Sequence, residues 1–253
     1  MEYNIIHYTD CLDFLKLVDD NTMDLTITSP PYNLNLRVLK GQYTKLPTDS
    51  CMLRTKYKNG YSDSLTMGEY FEWQKTVISE LIRVTKKYVF YNVQMVAGNK
   101  TALFKLIGYF AEYLKEVIIW DKVNSQPAIG QRCLNSSFEF ILVFSKIESA
   151  MYRQFEHANF ERGTLDNLWH ISTFNKKSNG VNTATFPDQL VKLILENFSN
   201  IGDLIFDPFI GSGTVAVNSA KMNRKYIGCE INTDYSPTIE SKIQLNNYTT
   251  DLF

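Results

Sequence analysis

Leu204-Ile205-Phe206-Asp207-Pro208-Phe209-Ile210-Gly211-Ser212-Gly213-Thr214 is the stretch on which the fold turns. Its first half is an apolar run closed by an acid, which reads as a buried strand. Its second half is a glycine-rich turn that opens a helix predicted over Thr214 to Met222. Gly211 and Gly213 let the backbone approach a ligand without Cβ clashes. The next apolar run, Lys225-Tyr226-Ile227-Gly228-Cys229, ends at Glu230, nineteen positions after Gly211. An acid at that spacing reaches the ribose hydroxyls of an adenosine cofactor. Gly211-x-Gly213-x-x-Ala216 alone is a weak fingerprint, and Asp207 or Glu230 taken singly can be a local cap.

A second informative stretch is Ile27-Thr28-Ser29-Pro30-Pro31-Tyr32, which follows the strand-like run Met23 to Ile27. Two prolines fix φ and remove two backbone donors, so the carbonyls and the Ser29 hydroxyl must find partners outside a ladder. An aromatic amine supplies such donors, and Tyr32 supplies a face for its ring. The plain alternative is a simple chain reversal.

Strands are expected near Asn4 to Tyr8, Met23 to Thr28, Tyr88 to Asn92, Val117 to Trp120 and Phe138 to Phe144. Helices are expected over Met67 to Thr85, Lys100 to Tyr113 and Asp188 to Phe198. This alternation implies an α/β, doubly wound, mostly parallel sheet covered on both faces. Ligands then lie at the carboxyl ends of the strands, where Ser29 and Asp207 both fall. With 253 residues and 44% hydrophobic content, one domain over 1–253 suffices to bury a full core.

A net charge of -1 argues against a strongly basic nucleic-acid binder. The basic residues are instead local: Arg37, Lys40, Lys45, Arg54, Lys56 and Lys58 crowd a long loop directly after the diproline turn. That position favours phosphate contact, the other reading being a solvated surface loop. Cys11, Cys51, Cys133 and Cys229 are scattered, with no Cys-x-x-Cys pair, so a structural zinc site is not expected. The chain starts without a basic-then-apolar leader and has no run of membrane-span length, so the default is a reduced, cytoplasmic protein.

Together, Thr-Ser-Pro-Pro-Tyr at 28–32 and Phe-x-Gly-x-Gly at 209–213 resemble the amino-methylating DNA methyltransferases, which modify N4 of cytosine or N6 of adenine. The catalytic turn comes first and the cofactor loop last, as in the permuted β class. The resemblance covers nearly the whole chain. It implies a circularly permuted class I methyltransferase fold and S-adenosylmethionine as donor. It also implies a flipped base held by Ser29, Pro30, Pro31 and Tyr32, with cytosine favoured by Ser29 and adenine as the alternative. Asp10, Cys11, Thr185, Phe186, Asp207, Pro208, Phe209, Gly211, Ser212, Gly213, Thr214 and Glu230 would hold the cofactor. An Asp that opens a helix, as Asp10 does, is more often an N-cap. Relatives often carry His-Pro where this chain has Asn182-Thr183, a departure in the segment expected to cradle the methionine end.

The partner implied is double-stranded DNA, contacted by the loop 33–66 and read by a recognition region over 147–181. A homodimer and a companion restriction endonuclease are further expectations by analogy. Cytosine C5 methylation is disfavoured, because none of the seven prolines precedes a cysteine. Two rival functions remain at this level: an NAD-binding oxidoreductase built on the glycine loop, and a non-catalytic DNA-binding module.

Overall fold

The computed structural model describes residues 2–33, 65–123, 134–148, 153–173 and 186–250, with 38–39, 42–43 and 132 as short pieces between them. In chain order the elements are β1 (Ile5–His7), α1 (Cys11–Leu15), β2 (Met23–Thr28), β3 (Val38–Leu39), β4 (Gln42–Tyr43), α2 (Met67–Val84) and β5 (Thr85–Val93). There follow α3 (Lys100–Tyr109), β6 (Leu114–Asp121), β7 (Phe138–Phe144), β8 (Leu168–His170), α4 (Asp188–Phe198), β9 (Leu204–Asp207), α5 (Thr214–Lys221), β10 (Lys225–Cys229) and α6 (Ser236–Thr250).

Eight strands form one sheet in the order β1-β10-β9-β2-β5-β7-β6-β8. From β1 to β5 all neighbours are parallel, β7 runs antiparallel to both β5 and β6, and β8 rejoins parallel to β6. The expected mostly parallel sheet is therefore present, with one antiparallel strand inserted near its far edge. The central β2 is buried at every position but Asp24, because both of its faces are covered.

Two apolar clusters flank the sheet. One packs Leu15, Val77 and Leu81 against Met23, Tyr91 and Phe206, while the other packs Leu190, Ile194 and Val215 against Ile27, Phe90 and Ile205. Alternate residues of each strand thus serve opposite faces. Helix α2 starts at a capping box: Thr66 Oγ1 accepts from the Glu69 backbone N–H, and the Glu69 carboxylate accepts from the Thr66 N–H at 2.9 Å.

Three expectations need correction. Helix α3 stops at Tyr109 instead of Tyr113, since the chain turns through Phe110 to Tyr113 to enter β6. The loop after the diproline turn was expected to hold no regular element, yet Val38 and Leu39 pair antiparallel with Tyr43 and Gln42. No strand is expected within 147–181, yet Leu168–His170 extends the main sheet as β8, with Trp169 buried in the second cluster. Among the described residues no helix is long and apolar enough to cross a membrane.

Candidate active site

Ser29, Pro30, Pro31 and Tyr32 leave the carboxyl end of β2, and Asp207 closes its neighbour β9. Thr28 Oγ1 donates to Asp207 Oδ1 at 2.8 Å across 179 positions of sequence. The diproline corner and the glycine bend therefore leave neighbouring strand ends on one edge of the sheet, the edge at which a parallel sheet binds ligands. The carbonyl of Pro31 finds its partners on α2, accepting from Tyr70 OH at 2.9 Å and from Gln74 Nε2 at 3.4 Å. Gln74 is held in turn by the Tyr91 hydroxyl. This anchoring satisfies part of the acceptor surplus created by two prolines.

The hydroxyls of Ser29 and Tyr32 lie 2.7 Å apart, and Tyr32 OH donates to Glu139 Oε2 at 2.9 Å. Asn92 Nδ2 lies 2.7 Å from both Tyr32 OH and Glu139 Oε2, and 3.4 Å from Ser29 Oγ. Lys122 Nζ completes the group, 3.4 Å from Glu139 Oε1. Strand pairing explains the convergence: Ile27 lies beside Phe90, and Asn92 beside Ile141. Ser29 and Asn92 are each two residues beyond the first pair, and Glu139 is two before Ile141, so all three extend one face. Burial first, then the Glu139 carboxylate, raises the Tyr32 pKa well above the ordinary phenol value, so Tyr32 stays protonated.

Sequence reading expected Tyr32 to act through its ring and missed Asn92, Lys122 and Glu139. A signal was present. Glu139 interrupts the apolar run Phe138 to Phe144, and Asn92 sits between Tyr91 and Val93 in a fully buried stretch. Buried polar groups in central strands require partners, so such interruptions mark a network.

At the bend, Gly211 and Gly213 take φ of 51° and 83°, the left-handed region that favours glycine. A Cβ on Gly213 would stand 3.2 Å from the Ile239 side chain, so α6 closes the back of the bend. Glu230 accepts from the Gly211 N–H and, through its other oxygen, from the Asn232 N–H, each at 2.9 Å. Lys242 Nζ donates to the Ser212 carbonyl at 2.8 Å, while the hydroxyls of Ser212 and Thr214 are 3.4 Å apart. After Pro208, the Phe209 ring meets Trp73 of α2 with centroids 5.8 Å apart. Asp207 is buried, and desolvation lifts its carboxyl to about 7 against the opposing pull of the Thr28 hydroxyl and the Phe209 N–H.

Asp10 and Cys11 follow β1, which pairs with β10, so they reach the same strand-end edge as Glu230. Asp10 Oδ1 accepts from the Leu12 N–H at 2.8 Å, so Asp10 is the N-cap of α1. Cys11 is buried, and burial raises its thiol pKa. Phe186 packs against the second cluster just before α4. Thr185, Arg37, Lys40, Lys45, Arg54, Lys56 and Lys58 lie outside the described residues.

This strand-end edge fits S-adenosylmethionine: a bend with glycine at 211 and 213, an acid at the next strand end and a buried carboxyl closing β9. Known proteins agree. A family model described as DNA methylase, of the N6/N4 type, matches residues 23–241. The type II methyltransferase M1.MboII of Moraxella bovis is 26% identical, over 93% of this chain and 94% of its own. The orphan methyltransferase M.BamHII of Bacillus amyloliquefaciens is 30% identical over 91% of each. Among solved structures, the PvuII DNA methyltransferase, titled cytosine-N4-specific, aligns with a TM-score of 0.70 at 18% identity, covering 98% of this chain and 92% of that one. M1.HpyAVI, solved as a complex with S-adenosylmethionine, aligns at 0.59 and 18% identity, covering 94% of this chain and 98% of that one. The structural likenesses bear on the fold, and the family match, spanning both the diproline corner and the glycine bend, establishes that this chain belongs to the N6/N4 DNA methylase family, whose methyl donor is S-adenosylmethionine.

Proposed function

We propose that this protein methylates the exocyclic amine of a DNA base turned out of the duplex, with N4 of cytosine as the target. The observation that carries this reading is the Thr28–Asp207 hydrogen bond, which ties the strand end that bears the corner to the strand end that bears the bend. The base must leave the stack, because its amine is otherwise inside the duplex. Ser29 at the head of the turn supports cytosine over adenine, and the cytosine-N4 specificity of the PvuII neighbour supports it further.

S-adenosylmethionine supplies an electrophilic methyl group on a positively charged sulfur. Glu230 would accept from its ribose hydroxyls, Asp207 would face its amino group, and Gly211 and Gly213 would let the backbone close on it. The Tyr32 ring would stack on the everted base while Ser29 Oγ and the Pro30 carbonyl accept from its amine. Two acceptors localise a lone pair that is otherwise spread into the ring. Holding that pair in line with the methyl group supplies much of the rate by alignment. The loop 33–66, with Arg37, Lys40, Lys45, Arg54, Lys56 and Lys58, would bind phosphates, and 147–181 would read bases, all within a single catalytic domain over 1–253.

Incubation with labelled S-adenosylmethionine and mixed-sequence duplex, followed by digestion and mass spectrometry of the nucleosides, tests the reading. N4-methylcytosine is expected. N6-methyladenine would move the target to adenine, and an unmodified duplex over a broad sequence set would overturn the proposal.

A further inference from the structure

The hydrogen bonds that link Ser29 to Glu139 have a direction, and that direction is fixed at one end. A carboxylate is acceptor-only, and Tyr32 has a single hydroxyl proton, donated to Glu139 Oε2 at 2.9 Å. Ser29, 2.7 Å from Tyr32 OH, must then donate its own proton to the Tyr32 oxygen. Its remaining lone pairs are left to accept. Asn92 reinforces this polarity, because its NH2 group lies against both Tyr32 OH and Glu139 Oε2 at 2.7 Å. The opposite amide orientation would set a carbonyl oxygen against a carboxylate. The orientation present leaves Asn92 Oδ1 buried with no partner among the described residues, a cost of the kind that functional sites carry.

We infer that Glu139 is the positioning residue of the methyl-transfer site: it turns the Ser29 hydroxyl into an acceptor for the substrate amine and receives the surplus amine proton through Ser29 and Tyr32. The inference rests on the methylation reading above. Once the amine nitrogen has gained its bond to carbon, it carries a positive charge and one proton too many. That N–H bond breaks as the proton passes to Ser29 Oγ, the Ser29 proton passes to Tyr32, and the Tyr32 proton passes to Glu139. The nitrogen becomes neutral, both hydroxyls are restored, and the carboxylate ends as a carboxylic acid. Tyr32 never needs to become a phenolate, in keeping with the direction of its pKa shift.

Each element packed against Glu139 contributes a group. Tyr32 comes from the turn after β2, the neutral Asn92 from β5, and Lys122, just past β6, places its ammonium 3.4 Å from the outer oxygen. One residue before Lys122, Asp121 is engaged with His170 of β8 at 2.8 Å. Lys122 therefore balances the carboxylate in the resting state.

The test is single-turnover methylation by Glu139→Gln and Tyr32→Phe across pH. Binding of S-adenosylmethionine and thermal melting of each variant serve as folding controls. Glu139→Gln is expected to slow the chemical step by roughly 100-fold or more, the range of general base effects. A fall in rate toward acid pH is expected of the wild type, whose site must accept the amine proton, and should be absent from this variant. Tyr32→Phe cuts the same path, and combining the two is expected to cost little beyond either alone. In the ligand-free protein carrying 3-fluorotyrosine, the signal lost in Tyr32→Phe should shift in Glu139→Gln. A Glu139→Gln enzyme that keeps the wild-type rate, or that slows while retaining the wild-type acid limb, would overturn the inference. If that variant does not fold, Tyr32→Phe is judged by the same two criteria. Failure of the wild type itself to methylate DNA would instead count against the function proposed above, so the two outcomes are separable.

Discussion

Asp207 carries the sharpest electrostatic consequence at the scale of single residues. An exposed aspartate titrates near 3.9, whereas burial lifts this one to about 7. Between those values the folded protein binds more protons than the unfolded chain, so the stability of the ligand-free form falls as pH rises from about 4 to 7 and stays lowered above that. Asp207→Asn removes this loss. It should stabilise the ligand-free protein at pH 8 by on the order of 1–4 kcal/mol and weaken S-adenosylmethionine binding at the same pH. Thermal melts at pH 5 and pH 8, with and without the donor, check both signs. Ser29→Ala is expected to reduce turnover on the order of 100-fold, the scale of losing one directed hydrogen bond at the reacting centre, with the donor affinity nearly unchanged. Calorimetric titration beside a rate measurement separates the two effects. Ser29, Asp207, Gly211 and Glu230 were legible from sequence because each sits in a local motif of known spacing. Asn92 and Glu139 were not: their partners arrive from strands far away in the chain, and only the pairing register brings them to Ser29.

At the scale of elements, α2 does more than cover the sheet, since Tyr70 and Gln74 hold the Pro31 carbonyl. Thr66→Ala removes the capping box at its start and should cost about 1 kcal/mol in urea unfolding. Gly228 in β10 is a tighter constraint. A Cβ there would lie 2.9 Å from the end of the Ile6 side chain and 3.0 Å from Ile210. Gly228→Ala should destabilise the protein by about 1–3 kcal/mol, the cost of overpacking, and loosen the glycine bend that Ile210 leads into. Unfolding curves with and without S-adenosylmethionine would show a larger loss in its presence. The long amphipathic helices and the buried strands could be read from their periodicity, and β2, β7 and α4 match residue for residue. β8 escaped notice because three residues give no period to detect. Its identity as a strand comes from pairing with β6 and from the burial of Trp169.

For the whole molecule, one sheet shared by two apolar clusters, with its ligand edge at the carboxyl ends, follows from the α/β alternation of the sequence. What the alternation does not contain is strand order. β2 lies between β5 and β9, and β1 lies beside β10, so the pairs Leu25–Ile205 and Ile5–Ile227 join distant parts of the chain. That arrangement constrains biosynthesis. A ribosome adding about 5–20 residues per second leaves one side of β2 without its neighbour for roughly 10–40 s, an edge of unpaired backbone groups open to wrong partners until β9 emerges. Nascent chains halted before residue 200 should therefore remain sensitive to protease and captured by chaperones, while released full-length chains resist digestion. Translation speed through the middle of the message then becomes a determinant of how much working enzyme a cell obtains.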